Sequence, residues 1–159
     1  MSITLTLPYP ISANRYWRAV TINGHAMMVP TKEAKAYKAD VGWRAKQAGI
    51  RAPLGGRMEL RVRLYPQRPQ DWAKRAQRNP DTWDDDVRCI DLGNCEKVLS
   101  DALNGVAWDD DKQLRKIFLE RFEPDEHGAR VEVTIEQQQG AQVAPALFPD
   151  SRARTFAEA

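Results

Sequence analysis

The pattern of apolar residues predicts an α+β (mixed α/β layer) fold, a mixed sheet with two main helices. Two observations carry this. Segments with period-2 alternation occur near both ends and in the middle of the chain, and two stretches between them repeat apolar residues at helical spacing. At 159 residues, one domain with its own core is expected.

Ile3, Leu5 and Leu7 alternate with Thr4 and Thr6, a strand with one buried face that stops at Pro8. After the polar loop ISANRYWR, Asn23-Gly24 joins AVTI to HAMMV, a spacing that favours a type I′ hairpin. Pro30-Thr31 announces a helix in which Ala34, Tyr37, Val41, Ala45 and Ala48 recur at helical spacing, and Gly49 supplies its cap. Met58, Leu60, Val62 and Leu64 mark the next strand. Residues 66–88 hold three prolines and no sustained period, so a long surface loop with one helical turn is expected there.

Cys95, Val98, Leu99, Ala102 and Leu103 form a stripe that predicts a helix over 92–104 with Asp91 as its cap. QLRKIFLERF, 113–122, carries apolar residues in both parities, which predicts a strand buried on both faces. Val131, Val133 and Ile135 mark the last strand. The domain is expected to span 1–137, with 138–159 a mobile tail.

The start of the chain has no basic and apolar leader, and no apolar run is long enough for a bilayer, so a cytoplasmic protein with no membrane partner is expected. Cys89 and Cys95 read as incidental thiols, and no zinc spacing is present. Charge is polarised along the chain. Residues 1–80 carry 15 Lys+Arg against 4 Asp+Glu, whereas residues 81–159 carry 9 against 18. Basic residues interleaved with aromatics in the first half suit a polyphosphate partner.

Nine carboxylates lie between Asp84 and Asp111. Such a cluster is costly unless neutralised, and hard divalent cations are met by one or two carboxylates with water and phosphate oxygens. The duller roles stay open: Asp91 as a cap only, Asp101 as half of a surface ion pair with Lys97, and the two Asp triplets as solvated loops. A calcium loop of the D-x-[DN]-x-[DN]-G type is absent. A helix over 92–104 rises roughly 20 Å. Asp111 therefore reaches Asp91 only if the connection after it runs straight back along the helix.

IDLGNCEKVLSDALNGVAWDDDKQL and LPYPISANRYWR resemble the RusA-type Holliday junction resolvases, a family common in prophages. The motif is D-L-D-N-x-x-K, then D-A-L, then D-D-x-Q. The resemblance implies a RusA-like fold and a magnesium-dependent homodimeric endodeoxyribonuclease of recombination and repair. Its substrate would be branched DNA, a four-way junction, cut to leave a 5′-phosphate, and manganese would substitute for magnesium. Carried over by residue, Asp91, Lys97 and Asp111 would be catalytic, with Asp91, Asp111 and Asp110 on the metal. The family's second aspartate falls on Gly93. Either another carboxylate supplies the missing oxygen, with Asp110 and Asp86 as candidates beside Glu96, or the protein binds junctions and cuts them weakly or not at all. Helix phase favours Glu96, which at about 100° per residue flanks Gly93 on the polar face together with Lys97. Asn14, Arg15, Tyr16, Trp17 and Arg18, with Arg75, Arg78 and the motif's Asn94, are the DNA-contact candidates.

Overall fold

The computed structural model describes residues 1–139. Its central sheet has four strands in the order β1-β6-β4-β5, formed by β1 (Ser2–Pro8), β4 (Arg57–Tyr65), β5 (Leu114–Arg121) and β6 (Arg130–Gln138). β6 runs antiparallel to both β1 and β4, and β5 runs parallel to β4, so the sheet is mixed. The register pairs Leu5 with Val133 and Leu60 with Ile135, which places the apolar members of each alternation on one face.

Two helices cover that face. α2 (Lys32–Gln47) packs on β1 and α4 (Leu92–Leu103) on β5, and the two helices touch each other. Val41, Leu60, Val98, Leu99, Leu103, Trp108 and Ile135 are the centre of the core. The opposite sheet face is polar: Thr4 meets Thr134 across the strands, and the Arg61 guanidinium lies 2.6 Å from the buried Glu59.

α1 (Ala13–Tyr16) leads into a separate two-stranded ribbon, β2 (Trp17–Ile22) and β3 (His25–Pro30). Asn23 and Gly24 turn it with φ of 50° and 77°, the positive values a type I′ turn demands. α2 begins as expected at Thr31, whose hydroxyl accepts the Ala34 N–H, and the chain leaves it through Gly49 at φ 101°.

Three expectations are corrected. The 66–88 segment contains a seven-residue helix, α3 (Trp72–Arg78), rather than a single turn. Trp83 anchors the segment from its far side: it is 5% exposed and donates its indole N–H to Glu123 at 2.6 Å. β5 is the sheet edge and is not buried on both faces; Ile117 and Phe118 are exposed, the latter under the Arg61 guanidinium at 4.3 Å. Apolar residues in both parities suggested two buried faces, but the helices cover one face of the sheet, and on the other the Arg61 guanidinium is what lies over the Phe118 ring. Third, the connection after α4 does not run straight back. Asn104 bridges to Trp108, and Gly105 N–H donates to Trp108 O at 2.7 Å, so the chain turns at once. Most of the 138–159 tail, from residue 140 on, lies outside the described residues.

Candidate active site

The first turn of α4 is organised by two side chains. Asp91 adopts an extended backbone and accepts the Asn94 N–H on Oδ1 at 2.8 Å, while its Oδ2 accepts the Asn94 side-chain amide at 2.5 Å. Asn94 therefore orients the carboxylate, and its amide group is engaged there rather than free toward DNA. The stripe of Cys95, Val98, Leu99, Ala102 and Leu103 is fully buried, which turns Lys97 out to solvent and leaves Glu96 at the rim. Burial pushes the Cys95 thiol up to about 12, in keeping with an inert core residue. Glu96 Oε1 accepts the Ser100 hydroxyl at 3.0 Å.

Asp111 comes from the turn before β5. Trp108, with no exposed surface, donates its indole N–H to Asp111 Oδ1 at 3.1 Å. Asp110 caps a short 3₁₀ turn over Asp111–Gln113, accepting the Lys112 N–H at 2.8 Å. Gln113 fastens this turn to the sheet. Its Oε1 accepts from Asp109 N and Asp110 N at 2.8 and 3.2 Å, and its Nε2 donates to Leu54 O and Gly56 O at 2.8 and 2.9 Å.

A cavity of about 670 Å³ opens between these elements and the ribbon. Glu96, Lys97 and Asp101 from α4 meet Asp111 on one side, and Asn14, Trp17 and Met28 face them. Because the turn at 104–108 shortens the return, Asp111 stands beside the 96–101 stretch of the helix. Asp91 and Asn94 line an adjoining cavity of about 890 Å³, with Arg15, Arg75, Asp86 and Arg88. The two motif aspartates thus do not share a cavity. Among the described residues, no three Asp, Glu, His or Cys side chains converge closely enough to hold a metal ion as they stand.

The remaining sequence candidates divide by exposure. Asn14 reaches the smaller cavity, and Arg18 is exposed on β2. Arg15 pairs with Glu33 at 2.7 Å, Arg75 pairs with both Asp71 and Asp86 at 2.9 Å, and Arg78 is exposed at the end of α3. Tyr16 is 1% exposed and donates its hydroxyl to Asp101, which removes it from the DNA-contact set. Burial, then that hydrogen bond, hold the Tyr16 hydroxyl protonated far above its ordinary range. Asp101 accordingly belongs to the interior contact with Tyr16, not to a surface pair with Lys97. A carboxylate one turn from a lysine suggests an ion pair on an isolated helix; here α1 lies against that face and its Tyr16 supplies a better donor.

The family model for endodeoxyribonuclease RusA matches residues 8–136. The chain belongs to the RusA family. No curated protein matches it. The matched span runs from the end of β1 into β6 and contains the residues that line both cavities, and the family implies endodeoxyribonuclease action on Holliday junctions. No helix among the described residues is long and apolar enough to cross a membrane. Met28, Trp108 and Gln113 escaped assignment from sequence as site residues. Gln113 stood in the D-D-x-Q motif, but its role depends on the carbonyls of Leu54 and Gly56, far away in the chain.

Proposed function

We propose that this RusA-family protein is a magnesium-dependent endodeoxyribonuclease that resolves four-way DNA junctions as a homodimer. The observation that carries the reading is the cavity in which Glu96, Lys97 and Asp111 face Asn14 and Trp17. The donor set suits a hard divalent cation: the carboxylate oxygens of Glu96, Asp101 and Asp111 line the cavity with access to water, and its soft atom, the Met28 thioether, belongs to the ribbon and not to this set. Glu96 and Asp111, with Asp110 beside them and Asp91 brought in from the adjoining cavity, would hold the ion, and manganese would substitute. When bound, the ion supplies an activated water and offsets charge on the phosphate.

The chain's own residues do the rest. Lys97 would contact the scissile phosphate and the charge that develops on it, a role supported by its exposure and by its having no salt bridge among the described residues. Asn94 holds Asp91, and Trp108 holds Asp111, so each carboxylate is oriented by a donor before any substrate arrives. Asn14, Arg18 and Arg78 offer contacts to the DNA backbone. Two-fold symmetry would bring two such sites to the two strands cut across a junction.

A second reading is favoured by the dispersed carboxylates: with Gly93 where the family has an aspartate, the protein binds junctions and cuts weakly or not at all. Incubation of a synthetic four-way junction with magnesium or manganese separates the two. Cutting by the wild type that is lost in Asp91→Asn and Asp111→Asn supports the nuclease. Tight, salt-sensitive binding with no cutting by any of the three supports the silent binder.

A further inference from the structure

The ribbon supplies an apolar part of the lining of the cavity that holds Lys97. In the β2–β3 register, Trp17 pairs with Pro30 and Ala19 with Met28, so Trp17 and Met28 project from one face of the hairpin. Both line the cavity that holds Glu96, Lys97 and Asp111. Arg18, one residue on, belongs to the other face. Met28 is 63% exposed, an unusual place for a large apolar side chain. Trp17 is half-buried and backed by the Tyr16 ring, whose centroid lies 4.4 Å away at a 55° tilt. Tyr16 is in turn fixed to α4 through Asp101. The indole is thus a braced surface, and the thioether beside it is a flexible one.

A flat aromatic and a soft apolar side chain facing a lysine and carboxylates match one kind of ligand: a base on one side and its phosphate on the other. Stacking on an aromatic is available to any base that has left its duplex neighbours. A cavity of about 670 Å³ has room for a nucleotide. We propose that Trp17 and Met28 seat a nucleobase unstacked at the branch point, beside the phosphate that Lys97 contacts. The inference rests on the nuclease reading of the site and specifies what that site selects: a disrupted stack rather than a continuous duplex. Preference for a branch then comes from the ribbon, while the carboxylates and Lys97 act on the backbone.

The test uses a four-way junction carrying 2-aminopurine at the branch point, with a linear duplex of the same sequence, in EDTA so that no strand is cut. Wild type, Met28→Ala and Trp17→Leu are compared by fluorescence and by anisotropy titration. Met28→Ala alters an exposed position and leaves the fold intact. Expected is a quenched 2-aminopurine signal in the wild-type complex that recovers in both variants. Junction affinity falls about tenfold in each, and duplex affinity stays within about twofold. Equal losses on junction and duplex, or a Met28→Ala protein indistinguishable from wild type, overturn the inference and leave the nuclease reading standing. A wild type that binds no junction overturns both.

Discussion

The indole N–H of Trp108, a residue with no exposed surface, points at Oδ1 of the solvent-facing Asp111 at 3.1 Å. A buried, rigid donor thus fixes the rotamer of an exposed carboxylate, which prepares Asp111 for the proposed ion. Trp108→Phe keeps the ring and removes the donor. The expected outcome is a folded protein, less stable by about 1–2 kcal/mol from the smaller ring. The magnesium concentration for half-maximal junction cutting should rise about tenfold. An unchanged magnesium dependence in a folded Trp108→Phe protein would show that Asp111 needs no such orienting.

Gln113 makes four hydrogen bonds with backbone groups, two as acceptor and two as donor, and so joins the Asp109–Asp111 turn to the chain entering β4. Gln113→Glu preserves shape but sets a carboxylate against the Leu54 and Gly56 carbonyls. The cost should be about 2–4 kcal/mol at neutral pH, since two acceptors lose their donor and face a negative charge. Urea unfolding measures it. The carbonyls hold the folded carboxyl's pKa above its unfolded value, so the deficit should shrink as pH falls from neutral and be smallest below about pH 4, where the carboxyl has a proton to donate in both states; a deficit independent of pH contradicts this account.

Asp125 and Arg130 lock the turn into β6. Arg130 makes paired bonds of 2.7 and 2.8 Å to Asp125, reaches Glu132, and lies 3.9 Å over the Tyr65 ring. The Arg130 guanidinium holds the Asp125 carboxyl below its ordinary range, at about 2. Because the folded value lies below the unfolded one, the stabilisation is complete above about pH 4 and is lost as pH falls toward about 2. It amounts to about 1–2 kcal/mol for a pair that is partly exposed. Asp125→Asn should lose that amount at pH 7 and match wild type near pH 2 in denaturant titrations. Equal differences at both pH values would show that the pair contributes through packing alone.

Local order was legible wherever one face of an element decides its pattern. The stripe from Cys95 to Leu103 and the capping role of Asp91 needed no tertiary information, nor did the Asn23-Gly24 turn. What failed depended on docking. Phe118 reads as core by type, yet lies on an edge strand under Arg61. Asp101 reads as a partner of Lys97, yet α1 brings Tyr16 to it. Met28 gave no signal at all, because which face of a hairpin meets the site is decided by how the ribbon sits against α4.

Gly93 lies in the first turn of α4, is exposed, and is not among the glycines with positive φ. A Cβ placed there first meets Asp91 Oδ1 at 3.4 Å, so an aspartate enters without displacing backbone. In the first turn, its charge favours the helix by about 0.3–1 kcal/mol, and replacing glycine adds to that. Its charge also repels that of Asp91, so Gly93→Asp should melt no lower than wild type in magnesium, which offsets the repulsion, and lower in EDTA than in magnesium. If the ion is held by Asp91, Asp111 and Glu96, the added carboxylate should lower the magnesium requirement and raise junction cutting about tenfold. Glu96→Gln alone should raise the magnesium requirement, and Gly93→Asp combined with Glu96→Gln should bring it back to the wild-type level. Should Glu96→Gln leave the requirement where it was while Gly93→Asp lowers it, Glu96 is not the stand-in. The missing oxygen then comes from Asp110 or Asp86, or is not supplied at all.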